Sequence, residues 1–166
     1  MRRTLQRLLV GAGLAVLSVG VVPAVPAAAA VVTVHVTGVV KMHIVDEESW
    51  FDDFEVCDYT QKVDFFRSSN QAPLKAFMVG HCGGEVRVEV DHFYEVSDHP
   101  AGIIDVHAFG RLYEGTDSHT TTDLEDTGSS AFSFDSGLPE SNFFKLRKVG
   151  TYDSSTIEFV LKRVIV

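Results

Sequence analysis

Several things are scarce in this chain, and each scarcity excludes something. There are two cysteines and one tryptophan in 166 residues. Two cysteines cannot supply a disulfide-dense scaffold or a four-cysteine zinc site. Beyond residue 30 no apolar run approaches the roughly 18 residues of a membrane-spanning helix. No sustained 3.6-residue period with caps occurs there, which argues against a helical domain. The nucleophile elbow Gly-x-Ser-x-Gly, the Walker A loop and the His-Glu-x-x-His helix are all missing. So are the EF-hand loop and the glycine-rich nonapeptide repeat. No Asn-x-Ser/Thr triplet signals N-glycosylation. Basic residues are few: 14 Lys and Arg stand against 23 Asp and Glu, net −9. Nucleic acid is a poor partner at that balance, because phosphate contacts need Lys and Arg.

What is present begins with a leader. Arg2, Arg3 and Arg7 precede the uncharged apolar stretch from Leu8 to Val22, and Ala27 to Ala30 offer small residues for cleavage. Residues 1–30 are therefore expected to be a secretory signal peptide with a helical apolar region. Residues 31–166 are expected to be one secreted, extracellular domain. No cysteine follows the cleavage region, so no stable membrane anchor is expected. The Ala/Val-rich, arginine-led style resembles leaders of high-GC Gram-positive bacteria. An oxidising compartment and an even cysteine count predict a Cys57–Cys82 disulfide. Closing a loop of about 24 residues is worth roughly 3 kcal/mol in the chain-entropy model.

Period-two alternation dominates the rest. Val32, Val34, Val36, Val40, Met42 and Ile44 share one face of a long strand, expected to bend or bulge at Gly38. Val86–Val88–Val90, Ile104–Val106–Ala108 and Ile157–Phe159–Leu161 alternate with polar or charged neighbours. Shorter strands are expected at 54–67, 74–79, 131–135 and 143–149. Turn clusters are expected at Gly83-Gly84, Ser97 to Pro100, Thr127 to Ser130, Ser136-Gly137 and Tyr152 to Ser155. The pattern predicts an all-β fold, an antiparallel two-sheet β-sandwich of seven to nine strands.

The charge is unevenly placed. Without the leader's arginines the domain holds 11 bases and 23 acids, net −12. Asp46 to Asp58 contains seven acids and Glu114 to Asp126 five, with no Lys or Arg in either. The 11 remaining acids match the 11 bases, so two short segments carry the whole excess. Both are expected in loops or beside them. Calcium takes six to eight oxygen ligands, and crowded carboxylates invite a divalent cation. The candidate ligands are Asp46, Glu48, Asp52 and Asp53 in the first segment, and Asp117, Asp123, Glu125 and Asp126 in the second. Solvated acid that keeps a secreted protein soluble is the competing reading. A sandwich with acidic loops after its strands resembles the calcium-binding C2-type domains, which implies a calcium role more than membrane binding. Trp50, inside the first segment, either presents a platform for a sugar ring or partner side chain, or folds back to cap the sandwich.

Enzyme motifs are thin. Gly80-His81-Cys82 and Asp135-Ser136-Gly137 resemble the histidine and serine segments of trypsin-like proteases, with Asp105 in the right order between them. Phe134 and Leu138 stand where the second segment needs glycines, and the domain is too short for that double barrel. His35, His43 and His107 lack zinc-ligand spacing and read as surface histidines. The best reading is a non-enzymatic extracellular binding module for a cell-wall polysaccharide or a secreted protein, with Ca2+ as its ion. The alternatives are a small secreted hydrolase using paired carboxylates and an ion-independent interaction protein.

Overall fold

The computed structural model describes residues 30–48, 53–98, 101–115 and 122–166. The expected leader up to residue 29, Trp50, Asp52 and Asp117 lie outside the described residues, as do the side chains of Glu48 and Asp53. Eight strands follow one another: β1 Thr33–Glu48, β2 Asp53–Ser68, β3 Leu74–Cys82, β4 Val86–Asp98, β5 Ala101–Glu114, β6 Asp123–Phe134, β7 Glu140–Arg147 and β8 Ser154–Ile165. They form two antiparallel four-stranded sheets, in the orders β2-β1-β8-β7 and β3-β4-β5-β6, packed as the expected sandwich.

Alternation builds this directly. Val34, Val36, Val40, Met42 and Ile44 of β1 point inward with Ile157, Phe159 and Leu161 of β8. Val86, Val88 and Val90 of β4 and Ile104, Val106 and Leu112 of β5 face them from the other sheet. Burying a branched aliphatic side chain contributes about 1.5–3 kcal/mol, which makes this seam the main source of stability. Shifting any strand by one residue would expose its apolar set, so the register is strongly determined.

Two expectations need correction. First, β1 is not bulged at Gly38: pairing runs unbroken from Thr37↔Asp64 through Gly38↔Val63 to Val39↔Lys62. The glycine is there for closeness, since a Cβ would lie 2.1 Å from the Val160 carbonyl oxygen. Second, Thr127 to Ser130 is no turn but the middle of β6. Gly128 pairs with Gly110 across the β5–β6 ladder. A Cβ on either would strike Leu146 or Phe144 of β7 within 2.8 Å. Glycine and serine here serve inter-sheet closure, and Ser130 Oγ donates to Asn142 Oδ1 at 2.9 Å across the same seam. A turn and a close-packed strand ask for the same small residues.

The opposite side is closed covalently. Cys57 of β2 and Cys82 of β3 form the expected disulfide, with Cα atoms 5.6 Å apart. Tyr59 adds a hydroxyl bond to the His81 carbonyl beside it. A buried polar group set centred on His92 lies between the sheets. His92 is fully buried against Phe159 and Tyr94. The Tyr94 hydroxyl lies 2.9 Å from its Nδ1, and Gln61 Oε1 3.2 Å from its Nε2. A neutral ring protonated at Nε2 satisfies both, donating to Gln61 and accepting from Tyr94.

Candidate functional site

Antiparallel pairing fixes where the acidic segments go. β1 leaves its sheet at Glu48 and β2 re-enters at Asp53; β5 leaves at Glu114 and β6 re-enters at Asp123. The alternating directions of the strands bring both hairpins to one end of the sandwich, together with the β3–β4 and β7–β8 turns. They do not sit side by side. The first belongs to the β2/β3 flank and the second to the β6/β7 flank. Most of the acids are also in strands rather than loops, because the ladders extend out to Glu48↔Asp53 in the first hairpin and Glu114↔Asp123 in the second.

The β7–β8 turn spans the gap between them. Lys148 bonds the Glu114 carboxylate. Burial opposes the Lys148 charge, but Glu114, with Glu125 and Asp153 nearby, outweighs it and holds the ammonium above its ordinary range. Asp126 Oδ2 accepts the Arg147 amide at 2.7 Å, and its Oδ1 accepts the Thr127 amide at 2.8 Å. Glu47 Oε2 accepts the Tyr152 amide at 3.0 Å, while the Glu47 amide donates to Asp153 Oδ1 at 2.8 Å. Phe54 packs edge-on against Tyr152, with ring centroids 5.9 Å apart.

The eight candidate ligands thus divide. Asp123 and Glu125 are exposed, and Asp126 holds backbone amides. Asp46 is buried, pointing between the sheets. Glu48 and Asp53 are backbone partners at the hairpin end of the β1–β2 ladder. Sequence reading missed Asp153 and Ser155, which it absorbed into a turn cluster. The available signal was parity: both share the inward phase of Ile157 and Phe159. Among the described residues, the trio of ligand-type atoms within 4.8 Å is Glu55, Cys57 and Cys82, and its sulfurs are bonded to each other.

Other candidates disperse. His35 and His43 lie on the outer face of one sheet, each 2.8 Å from an aspartate, Asp64 and Asp58. His107 lies on the outer face of the other sheet. His81 ends β3 at the acidic end, whereas Asp105 and Ser136 sit towards the opposite end, and Asp105 is bonded to Ser133. The outer face of β3-β4-β5-β6 carries a dense ladder. Arg111 reaches Asp91 at 2.6 Å and Glu89 at 3.4 Å, Arg87 reaches Glu89, and Lys75 reaches Asp91. Arg87, Arg111 and Lys75 also lie over Tyr113, Phe109 and Phe93. Its charges neutralise one another and its cations cover the rings, which is cross-strand stabilisation.

The chain is a β-sandwich domain. Compared with protein-family models, curated proteins and solved structures, it matches none.

Proposed function

We propose that this chain is a secreted, non-enzymatic binding module whose acidic end takes up calcium and, with the hairpin that carries Trp50, meets a cell-wall polysaccharide or another secreted protein. The supporting observation is one of placement. Both segments that hold the charge excess leave the sandwich at the same end, where their fields add. A divalent cation relieves that repulsion, and extracellular modules often bind calcium with Kd near about 10⁻⁴–10⁻³ M.

The test is a thermal melt of the purified chain in EDTA, in about 1–10 mM calcium and in magnesium. Linkage at these concentrations adds on the order of 1 kcal/mol. A calcium-specific rise of several degrees is expected. No shift, or an equal shift with magnesium, defeats the calcium reading.

A second reading has its own support. Lys148 and the amides of Arg147 and Tyr152 already engage Glu114, Asp126 and Glu47. An end whose carboxylates are held in place from within needs no ion to order it, and its remaining negative charge serves instead as an acidic surface for a basic partner. That reading predicts calcium-independent capture of basic proteins, lost at high salt. Capture that survives high salt, or that requires calcium, rejects it.

A further inference from the structure

β2 is an edge strand of 16 residues, and the direction of its backbone groups follows from one bond at its end. The Ser69 amide donates to the Val32 carbonyl at 2.9 Å, one step beyond the Thr33↔Ser68 pair. Hydrogen-bonded and non-hydrogen-bonded pairs alternate along an antiparallel ladder. The β1–β2 register runs without a shift, so the odd positions of β2 bond to β1 throughout. The even positions turn their N–H and C=O groups away from the sheet. At Ser68 both groups are taken by Gln71. From Phe54 to Phe66 the even positions find no such partner among the described residues. The neighbouring edge, β3, differs: the Tyr59 hydroxyl and the Gln61 amide of β2 cover its His81 and Phe77 carbonyls. A long edge with free backbone groups is a template for another strand.

The same even positions carry the outer-face side chains, and their order is its own complement. Phe54 and Phe66 are 51% and 62% exposed, each held by one neighbouring ring, Tyr152 and His35. Between them, the side chains of Asp58 and Lys62 are 74% and 78% exposed, even with His43 and Asp64 beside them. Facing residues of an antiparallel pair share one side of the sheet. A two-fold axis between identical strands must therefore pass at a residue. With the axis at Thr60, Phe54 faces Phe66 and Asp58 faces Lys62, each twice. Val56 facing Asp64 is the poor match. An axis at Tyr59 sets Phe54 against Asp64, and one at Gln61 sets Asp58 against Asp64. An axis at Asp58 or Lys62 opposes that residue to its own copy. Facing aromatic and opposite-charge pairs stabilise a ladder and like charges destabilise it, so the Thr60 axis is preferred.

We propose that β2 pairs antiparallel with β2 of a second copy of this chain, about a two-fold axis at Thr60. The pairing joins the β2-β1-β8-β7 sheets of the two copies edge to edge. Main-chain bonds from Phe54 to Phe66 supply the affinity. The Asp58–Lys62 and Phe54–Phe66 rows fix the register. Such a contact uses the same patch on both copies and closes on itself, so it yields a dimer and not a fibre. A monomer whose edge charges serve only to turn other strands away is the competing reading.

Sedimentation velocity of the purified chain, at concentrations up to about 0.5 mM, tests this. The wild type should pass from monomer to dimer as concentration rises. D58K opposes two lysines at both symmetric rows and should weaken association at least about tenfold. D58K/K62D restores opposite charges and should return to within about threefold of the wild type. T60C should form an intermolecular disulfide under mild oxidation, because facing hydrogen-bonded residues have Cα atoms about 5.5 Å apart. V56C is equally exposed but lies far along the ladder from its symmetry mate, and should not. All these positions are on the outer face, and thermal melts check that each variant folds. A wild type that stays monomeric at the highest concentration overturns the proposal. So does a dimer that D58K leaves intact and T60C does not cross-link, since its seat is then elsewhere.

Discussion

Replacing both cysteines, as C57A/C82A, should lower stability by about 3 kcal/mol and the melting temperature by roughly 10 °C. The reason lies in what the bond spans. Cys57 is on β2 and Cys82 on β3, which are edge strands of different sheets, 25 residues apart in the chain. The other flank is closed by packing: Gly128 and Gly110 let Leu146 and Phe144 press against the facing sheet. The cysteine flank is tied across the sheets by the disulfide, by Tyr59 at the His81 carbonyl, and by Gln61 at the Phe77 carbonyl and His92. Without the bond the unfolded chain regains its loop entropy and β3 can part from β2. Changing both residues avoids leaving a stray thiol, and chemical denaturation without reductant measures the loss. A denaturation midpoint within error of the wild type would show that the flank is held by packing alone. A free-thiol assay on the denatured, unreduced protein checks the premise, since the bonded pair yields none.

Acidification from pH 7.5 to pH 4 should cost the fold about 3 kcal/mol through His92 alone. Burial pushes the imidazole down to about 4 from its ordinary 6.5, against a small opposing pull from the neighbouring Asp91 carboxylate. The unfolded chain takes up this proton as pH falls through 6.5, and the folded chain resists until about 4. The stabilisation is therefore complete above 6.5, fades between 6.5 and 4, and changes no further below. Asp64 and Asp91 act in a lower window. Bonding to His35 and Lys62 holds Asp64 below its ordinary value; for Asp91, the ties to Lys75 and Arg111 outweigh the opposing effect of burial. Both therefore lend stability that is lost only as pH drops beneath the usual carboxylate range. Urea midpoints between pH 7.5 and 4 isolate the histidine. H92Q should be less stable at pH 7.5, because it loses ring contacts with Phe159 and Tyr94, yet show a much flatter pH profile. Parallel profiles for H92Q and wild type would mean that His92 does not govern the acid response.

Much of this protein was legible in one dimension. The inward phases of β1, β4, β5 and β8 follow from a period of two, because successive side chains in a strand alternate faces and water sorts them. The disulfide was legible because two cysteines have one intramolecular pairing. The position of the charge excess was plain arithmetic. Glycine was misread at Gly38 and Gly128. Local sequence shows only that a side chain is missing, not whether a turn or a facing strand requires the space. His92 was also hidden, since it occupies an inward position in β4 that composition alone marks as polar.

Class and strand phase were thus decided by the sequence itself, through local sterics and the sorting of apolar from polar groups. Tertiary structure alone decided that the two acidic hairpins share an end but stand on opposite flanks, because strand order depends on how two finished sheets cover each other. It likewise decided that Lys148 answers Glu114, 34 residues away, and that the Glu47 amide meets the Asp153 carboxylate, 106 residues away. Such meetings are set by a register between distant strands, and no window of sequence contains both partners.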